Sequence, residues 1–214
     1  MDAIDNIRGS LLEIDLLLNY AKRNAENIHK YQLFLKVSSV LLSTKLEAFL
    51  EDFFEEHSER VINGHTNATF PENLRDLYFD RGVELLCNER DKNKRDALLK
   101  SIMHLHKNSG DDLALVRNIK PSVSFNYGKH GQKEIENLFK KHGMMDFIFS
   151  QDSQECLKML NSLIAIRNNV IHQDASPSIT HQTIIDHKNN ICRFLLLLEA
   201  EVEQNKQMYY NEVV

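Results

Sequence analysis

The segment Ile4-Asp5-Asn6-Ile7-Arg8-Gly9-Ser10-Leu11-Leu12-Glu13-Ile14-Asp15-Leu16-Leu17-Leu18 decides the fold class. Its apolar residues Ile4, Ile7, Leu11, Ile14 and Leu18 recur at alternating spacings of three and four, and Ala21, Ala25 and Ile28 continue the row. Only an α-helix gathers such positions onto one face, and an unbroken row marks a helix packed along its length against other helices. A half-buried strand alternates every second residue instead. With only 7 Gly and 3 Pro in 214 residues, the chain lacks the turn residues that a sandwich or barrel of many short strands requires. The expectation is an all-α protein.

Working outward, a second helix is expected from about Tyr31 to Ile62, with Leu35, Leu42, Leu46, Phe49, Leu50, Phe53 and Phe54 on its apolar side. Asn63-Gly64 stops it, glycine being the residue that best tolerates the left-handed backbone past a helix end. Nothing between Ile28 and Leu33 breaks a helix, so continuity of the first two is left open. Pro71 opens a short helix over Glu72–Phe79. The stretch Asn88–Asp96 is charged and exposed. A further helix covers about Lys94–His106, ended by Asn108-Ser109-Gly110. Ile119 to Gly131, with Pro121, Gly128 and Gly131, reads as an ordered loop. Gln132–His142 is a short helix stopped by Gly143. Asp152 followed by Glu155 resembles a capping box at the start of the next helix. The last helix begins near Ile179 and buries Ile184, Ile191, Leu195, Leu198 and Val202. No linker divides the chain, so residues 1–214 read as one domain with a middle insertion at about 64–150.

The net charge of −5 argues against binding nucleic acid through bulk charge, so contact with RNA requires a local positive patch. The three cysteines, Cys87, Cys156 and Cys192, are isolated and odd in number, which suits a reducing compartment better than a disulfide framework. The acidic N-terminus is unlike a signal peptide, and no apolar run reaches membrane-spanning length. A cytoplasmic protein with no membrane contact is expected. No cofactor or metal is expected either. His104 and His106 fall about 200° apart on a helix, and His181 and His187 lack a third ligand at useful spacing. There is no phosphate loop, dinucleotide fingerprint or serine-nucleophile motif.

The chemistry-bearing stretch is Ser162-Leu163-Ile164-Ala165-Ile166-Arg167-Asn168-Asn169-Val170-Ile171-His172. An apolar helix ends by presenting an arginine, two asparagines and a histidine. A fixed cation on an apolar face is costly unless it meets an anion or a structural partner. Beside a group that titrates near neutrality, it is also what phosphodiester cleavage needs. Spacing alone does not single it out. Ten arginines and ten histidines in 214 residues give roughly one or two Arg-to-His pairs four to six residues apart by chance, and the chain has three. Arg23 and His29 lie off the apolar row and read as solvated. Arg60 and His65 flank the Asn63-Gly64 stop, where a basic residue meets a helix C-terminus favourably. Arg167 follows Cys156, Leu160 and Leu163 at helical spacing, and so lies on or beside the apolar row. Two readings stand for it: a structural pair with a buried carboxylate such as Glu47 or Asp52, or a catalytic cation. His172 falls about 140° from Arg167 on a straight helix. Convergence therefore requires the helix to end between them, or a second copy of the helix packed against the first.

Arg167-Asn168-x-x-x-His172, at the end of an apolar helix and ahead of a last long helix, resembles the motif of the HEPN superfamily. The run Leu41 to Phe53, with Leu46-Glu47-Ala48-Phe49 at its centre, is similar to the early core helix of the RiboL-PSP-HEPN branch and its relatives. Ile135 to Phe147, with Leu138-Phe139, is similar to the region ahead of that branch's catalytic helix. The resemblance implies an up-down helical bundle that dimerises, often with two motif copies on a shared cleft. It also implies a metal-independent endoribonuclease of a bacterial toxin–antitoxin or phage-defence system. Arg167, Asn168 and His172 would be its catalytic residues, and RNA and a cognate antitoxin or other protein its partners. RNA supplies its own 2′-hydroxyl nucleophile, so cleavage needs a base near that hydroxyl and a cation on the phosphate. The competing reading is a non-catalytic helical interaction protein: an adaptor, antitoxin or immunity partner. A second candidate RNA-binding surface is Lys129, His130, Lys133, Lys140, Lys141 and His142 with Phe125 and Tyr127, where charge and aromatics would steer and stack single strands. A solvated helix face explains the same residues.

Overall fold

The computed structural model describes residues 1–107, 111–121, 123, 131–172 and 179–211. Regular structure among them is helical throughout, apart from one isolated bridge between Thr66 and Asp112. The helices are α1 (Asp2–Arg23), α2 (Ile28–Gly64), α3 (Glu72–Asn88), α4 (Lys92–Leu105), a 3-10 turn (Ala114–Ile119), α5 (Gln132–Lys141), α6 (Met145–Ile148), α7 (Gln151–His172), α8 (His181–Gln204) and α9 (Lys206–Tyr210). No helix of the described residues is long and apolar enough to cross a membrane. Two compact units result. The first holds Met1–Phe53, Ser124–Glu136 and Asp146–Glu199; the second holds Phe54–Val123, Asn137–Met145 and Ala200–Val214.

The first unit is an up-down bundle of α1, the first half of α2, α7 and most of α8. Its cross-contacts give the sense of each pair. Glu13 meets Lys45 at 3.2 Å and Tyr20 stacks on Phe34 at 5.9 Å, so α1 and α2 are antiparallel. Arg8 pairs with Glu199 and Asp15 with Lys188, making α1 and α8 antiparallel. Arg193 reaches Asp152, and the Asn190 amide donates to the Cys156 carbonyl at 2.9 Å, making α7 and α8 antiparallel. Ile4, Ile7, Leu11, Ile14, Leu18 and Ala21 are buried, as are Leu35, Leu42, Leu46, Phe49, Leu50 and Phe53 of α2. The apolar row of α1 is therefore consumed by its own bundle. Ala25 and Ile28, expected to extend it, are exposed because α1 stops at Arg23. The Asn24 side chain donates back to the Tyr20 carbonyl at 2.8 Å, and Asn27 Oδ1 accepts from the Lys30 amide at 3.1 Å. One asparagine closes α1 and the other opens α2, which is what short polar side chains do best.

The second unit gathers the end of α2, α3, α4, the 3-10 turn, the end of α5, the end of α8 and α9 around Phe54, Val61, Phe70, Leu74, Tyr78, Leu105, Val116, Ile119, Phe139 and Tyr210. α3 runs to Asn88, well past the expected Phe79. Its Gly82 is buried against the Ile102 side chain of α4, and that packing carries the helix on. Lys120 and Arg117 clamp the 3-10 turn to Glu55 and Glu59 of α2. Gly143 has φ of +76° and lies so close to Leu74 that a Cβ would fall 2.3 Å from its Cδ2, so both conformation and space demand glycine. The stop expected at residues 108–110 lies outside the described residues.

Candidate functional site

α7 opens differently from its expected capping box. The Ser153 amide donates to Ser150 Oγ at 3.3 Å, while the carboxylates of Asp152 and Glu155 turn to Arg193 of α8. A cation across space outcompetes the helix's own amides for these two groups. From there Cys156, Leu157, Leu160, Leu163 and Ile164 form the buried face. Arg167 follows on that face, at the point where cover runs out: residues 166–170 are all half-buried and Ile171 is 45% exposed. Arg167 is thus an arginine in a core position of the last two turns, with water within reach.

Its partner is local. Arg167 Nη1 donates to Asn168 Oδ1 at 2.9 Å. No described carboxylate forms an ion pair with it, so the expected alternative of a structural pair with Glu47 or Asp52 is not found. An amide accepts one hydrogen bond from a guanidinium without neutralising it, so the charge and most of its five donors remain free for an anion. The start of α8 frames this end of the bundle. The Ile179 carbonyl accepts from Gln32 Nε2 at 3.4 Å, and the Tyr31 hydroxyl accepts from the His181 amide at 3.3 Å.

α7 is continuous through His172, its last residue. A helix end between Arg167 and His172 was one of two expected ways to bring them together, and the structure does not contain it. On one unbroken helix the two positions stand about 140° apart. The His172 side chain lies outside the described residues.

The second candidate surface divides. Lys133, Lys140 and Lys141 are exposed on α5. Lys129, His130, Phe125 and Tyr127 lie outside the described residues. His142 is a correction: it is 2% exposed, lies against the Phe54 ring at 4.3 Å, and donates from Nδ1 to the Leu138 carbonyl at 2.7 Å. Burial lowers its pKa to about 4 and keeps it neutral. Lys141 borders a cleft of about 230 Å³ with Asp80, Arg81 and Glu84. Two acids there offset two bases, and Glu84 is held below the usual carboxylate range, first by its hydrogen bond to Arg81.

The other Arg-to-His pairs behave as expected. Arg23 and His29 are exposed. Arg60 lies over the Tyr210 ring at 4.1 Å, and His65 donates from Nε2 to the Tyr209 carbonyl at 3.1 Å. Sequence reasoning did not find the closed cluster these two belong to. His57 donates from Nε2 to the His142 carbonyl at 3.3 Å and accepts the Tyr210 hydroxyl at Nδ1 at 2.8 Å, roles fixed by the carbonyl's lack of a proton. Burial lowers the pKa of His57 to about 3. Gly64 meets the Tyr210 carbonyl so closely that a Cβ would fall 2.0 Å from its oxygen. The cluster fastens α9 to the end of α2, and no water-reachable base remains in it.

A family model described as RiboL-PSP-HEPN matches residues 5–204. The chain belongs to the RiboL-PSP-HEPN family. No curated protein and no solved structure matches it. The family match takes in α1 through α8, including the Arg167-to-His172 helix, and ends before α9. In this RiboL-PSP-HEPN protein the Tyr209–Tyr210 fastening therefore lies beyond the matched residues.

Proposed function

We propose that this protein is a metal-independent endoribonuclease in which Arg167 and His172 from two copies of α7 meet at a twofold axis, within a cytoplasmic toxin–antitoxin or phage-defence system. The observation that carries the reading is a half-buried arginine on the core face of α7 whose hydrogen bond goes to a neutral amide. A structural arginine in that position ordinarily meets a carboxylate. The unbroken helix favours a composite site, since positions 140° apart on one helix do not aim at one phosphate. The family match runs through segments of both compact units, which supports a single domain with its insertion at about 64–150.

The chemistry follows from the groups. His172 of one copy takes the proton from the RNA 2′-hydroxyl. The freed oxygen attacks the adjacent phosphorus, and the bond from phosphorus to the 5′-oxygen breaks. Arg167 of the other copy holds a non-bridging oxygen through its planar fork, more tightly as charge develops there. Asn168 orients the guanidinium through the bond already formed. The second His172, in its protonated form, gives a proton to the leaving oxygen. The products are a 2′,3′-cyclic phosphate and a 5′-hydroxyl.

The test uses a single-stranded RNA in EDTA with wild type, Arg167→Ala and His172→Ala, and the same strand made with 2′-deoxy sugars. The expected result is cleavage by wild type alone and an intact deoxy strand. Folded variants as active as wild type, or a cut deoxy strand, would contradict the reading. An inert wild type would favour the adaptor or antitoxin alternative.

A further inference from the structure

We propose that a second copy of this chain docks antiparallel along the outer face of α1, about a twofold axis near the middle of that helix. The inner row of α1, from Ile4 to Ala21, is buried in its own bundle and is not available for assembly. A second row remains outside. Asp5, Gly9, Leu12, Leu16, Asn19 and Arg23 are all exposed and recur at spacings of four and three, the period of a coiled-coil seam. Leu12 is 68% exposed and Leu16 55%, with Tyr20 at 43% beside them. Tyr20 stacks on Phe34, which continues the patch onto α2, where Leu33 and Val37 are 58% and 43% exposed. Contiguous apolar patches of this kind on a soluble surface mark contact sites.

The charge pattern selects the occupant. The outer row is acidic at its start, apolar in its middle and basic at its end. An antiparallel twofold is isologous, so each contact occurs twice. It sets Leu12 against Leu16 of the second copy and Asp5 against Arg23 of the second copy. A parallel twofold would set Asp5 against Asp5 and Arg23 against Arg23, which is unfavourable. The shape agrees with the antiparallel choice. Nothing lies within 4 Å of where a Cβ on Gly9 would be, and the same register sets this opening against Asn19 of the second copy.

This contact is separate from the meeting of α7 ends proposed above and does not rest on it. Tyr20 meets Phe34, Tyr31 meets His181, and α7 runs antiparallel to α8. The end of α1 therefore lies at the same end of the unit as the end of α7. An antiparallel pair across α1 holds two α7 ends apart, so a chain using both contacts assembles beyond a dimer, and as four copies where the two twofold axes cross at right angles.

The test is the mass of the full chain by light scattering after size exclusion. Leu12→Glu with Leu16→Glu is expected to halve the wild-type mass while the melting temperature holds, since both residues are exposed. Asp5→Arg and Arg23→Asp are each expected to weaken self-association about tenfold, and the two together to restore it to within about threefold of wild type. RNA cleavage per chain is read alongside and is expected to survive the charge exchange, so a failed nuclease and a failed α1 contact are told apart. A wild type that is monomeric, a leucine variant of unchanged mass, or a double charge variant no better than the singles would each overturn the proposal.

Discussion

Two places in this molecule hold basic side chains against apolar surroundings, and they are treated in opposite ways. In the second unit, His57, His65 and His142 are sealed among Phe54, Phe139, Tyr209 and Tyr210, each with a carbonyl for its ring N–H. At the end of α7, Arg167 lies half in water and is bound to one neutral amide. A histidine buried in its neutral form, with its N–H satisfied, holds a fold together. A guanidinium left with its charge unspent at a rim is available to a ligand. The difference lies in what meets the side chain.

The predictions probe that contrast. The largest effect is expected from Arg167→Ala, which should lower RNA cleavage by about 100-fold or more, the usual loss when a transition-state donor is removed. Because Arg167 forms no ion pair with a described carboxylate, its melting temperature should stay within about 2 °C of wild type. A large drop in melting temperature would place Arg167 with the histidine cluster instead. Gly64→Ala should do the reverse. Its Cβ would strike the Tyr210 carbonyl, so unfolding free energy should fall by about 3 kcal/mol or more while the folded fraction retains activity. Denaturant titration measures the first and cleavage below the transition the second.

Acid should divide the two places next. His57 and His142 have folded pKa values lowered by burial to about 3 and about 4 from 6.5. The unfolded chain therefore binds more protons below pH 6.5, and stability falls as pH drops from there towards pH 4 and then pH 3. Each histidine contributes on the order of 1 kcal/mol per pH unit in that window. Hydrogen exchange at pH 7 and pH 5 should show protection lost first around His57, His142 and α9. Equal loss in α1 and α7 would contradict the assignment of these histidines as the acid-sensitive element. The smallest effect is expected from Asn168→Ala. Losing one hydrogen bond to a charged group costs about 1.5 kcal/mol, or roughly a tenfold slower cleavage with substrate binding little changed.

Much of this was legible from residues alone. The inner row of α1, the core positions of α2 and α8, and the placing of Arg167 on the apolar side of α7 followed from spacing, because burial against other helices obeys helical periodicity. What escaped was decided by partners distant in sequence or by polar side chains that read alike. Asn24 and Asn27 look like solvent residues until one is seen closing α1 and the other opening α2. Asp152 and Glu155 have the spacing of a capping box, but Arg193, across the bundle, takes both carboxylates. His142 follows a pair of lysines and reads in sequence as basic surface; Phe54, far back in the chain, buries it. The break between Arg167 and His172 was one expected geometry, and Asn168 and Asn169 do not supply it, since neither residue forces a helix to end.

The most direct test of the composite site is subunit complementation. Arg167→Ala and His172→Ala proteins, each inactive alone, are unfolded together, refolded at equal amounts and assayed on single-stranded RNA in EDTA. Random pairing makes half of the dimers mixed, and each mixed dimer keeps one Arg167 facing one His172 across the axis while lacking the second His172. The account predicts cleavage clearly above that of either component and below about a quarter of wild type, since the proton donor to the leaving oxygen is missing. If the mixture stays as inactive as its two components, Arg167 and His172 do not act across a twofold axis, and the proposed site is wrong.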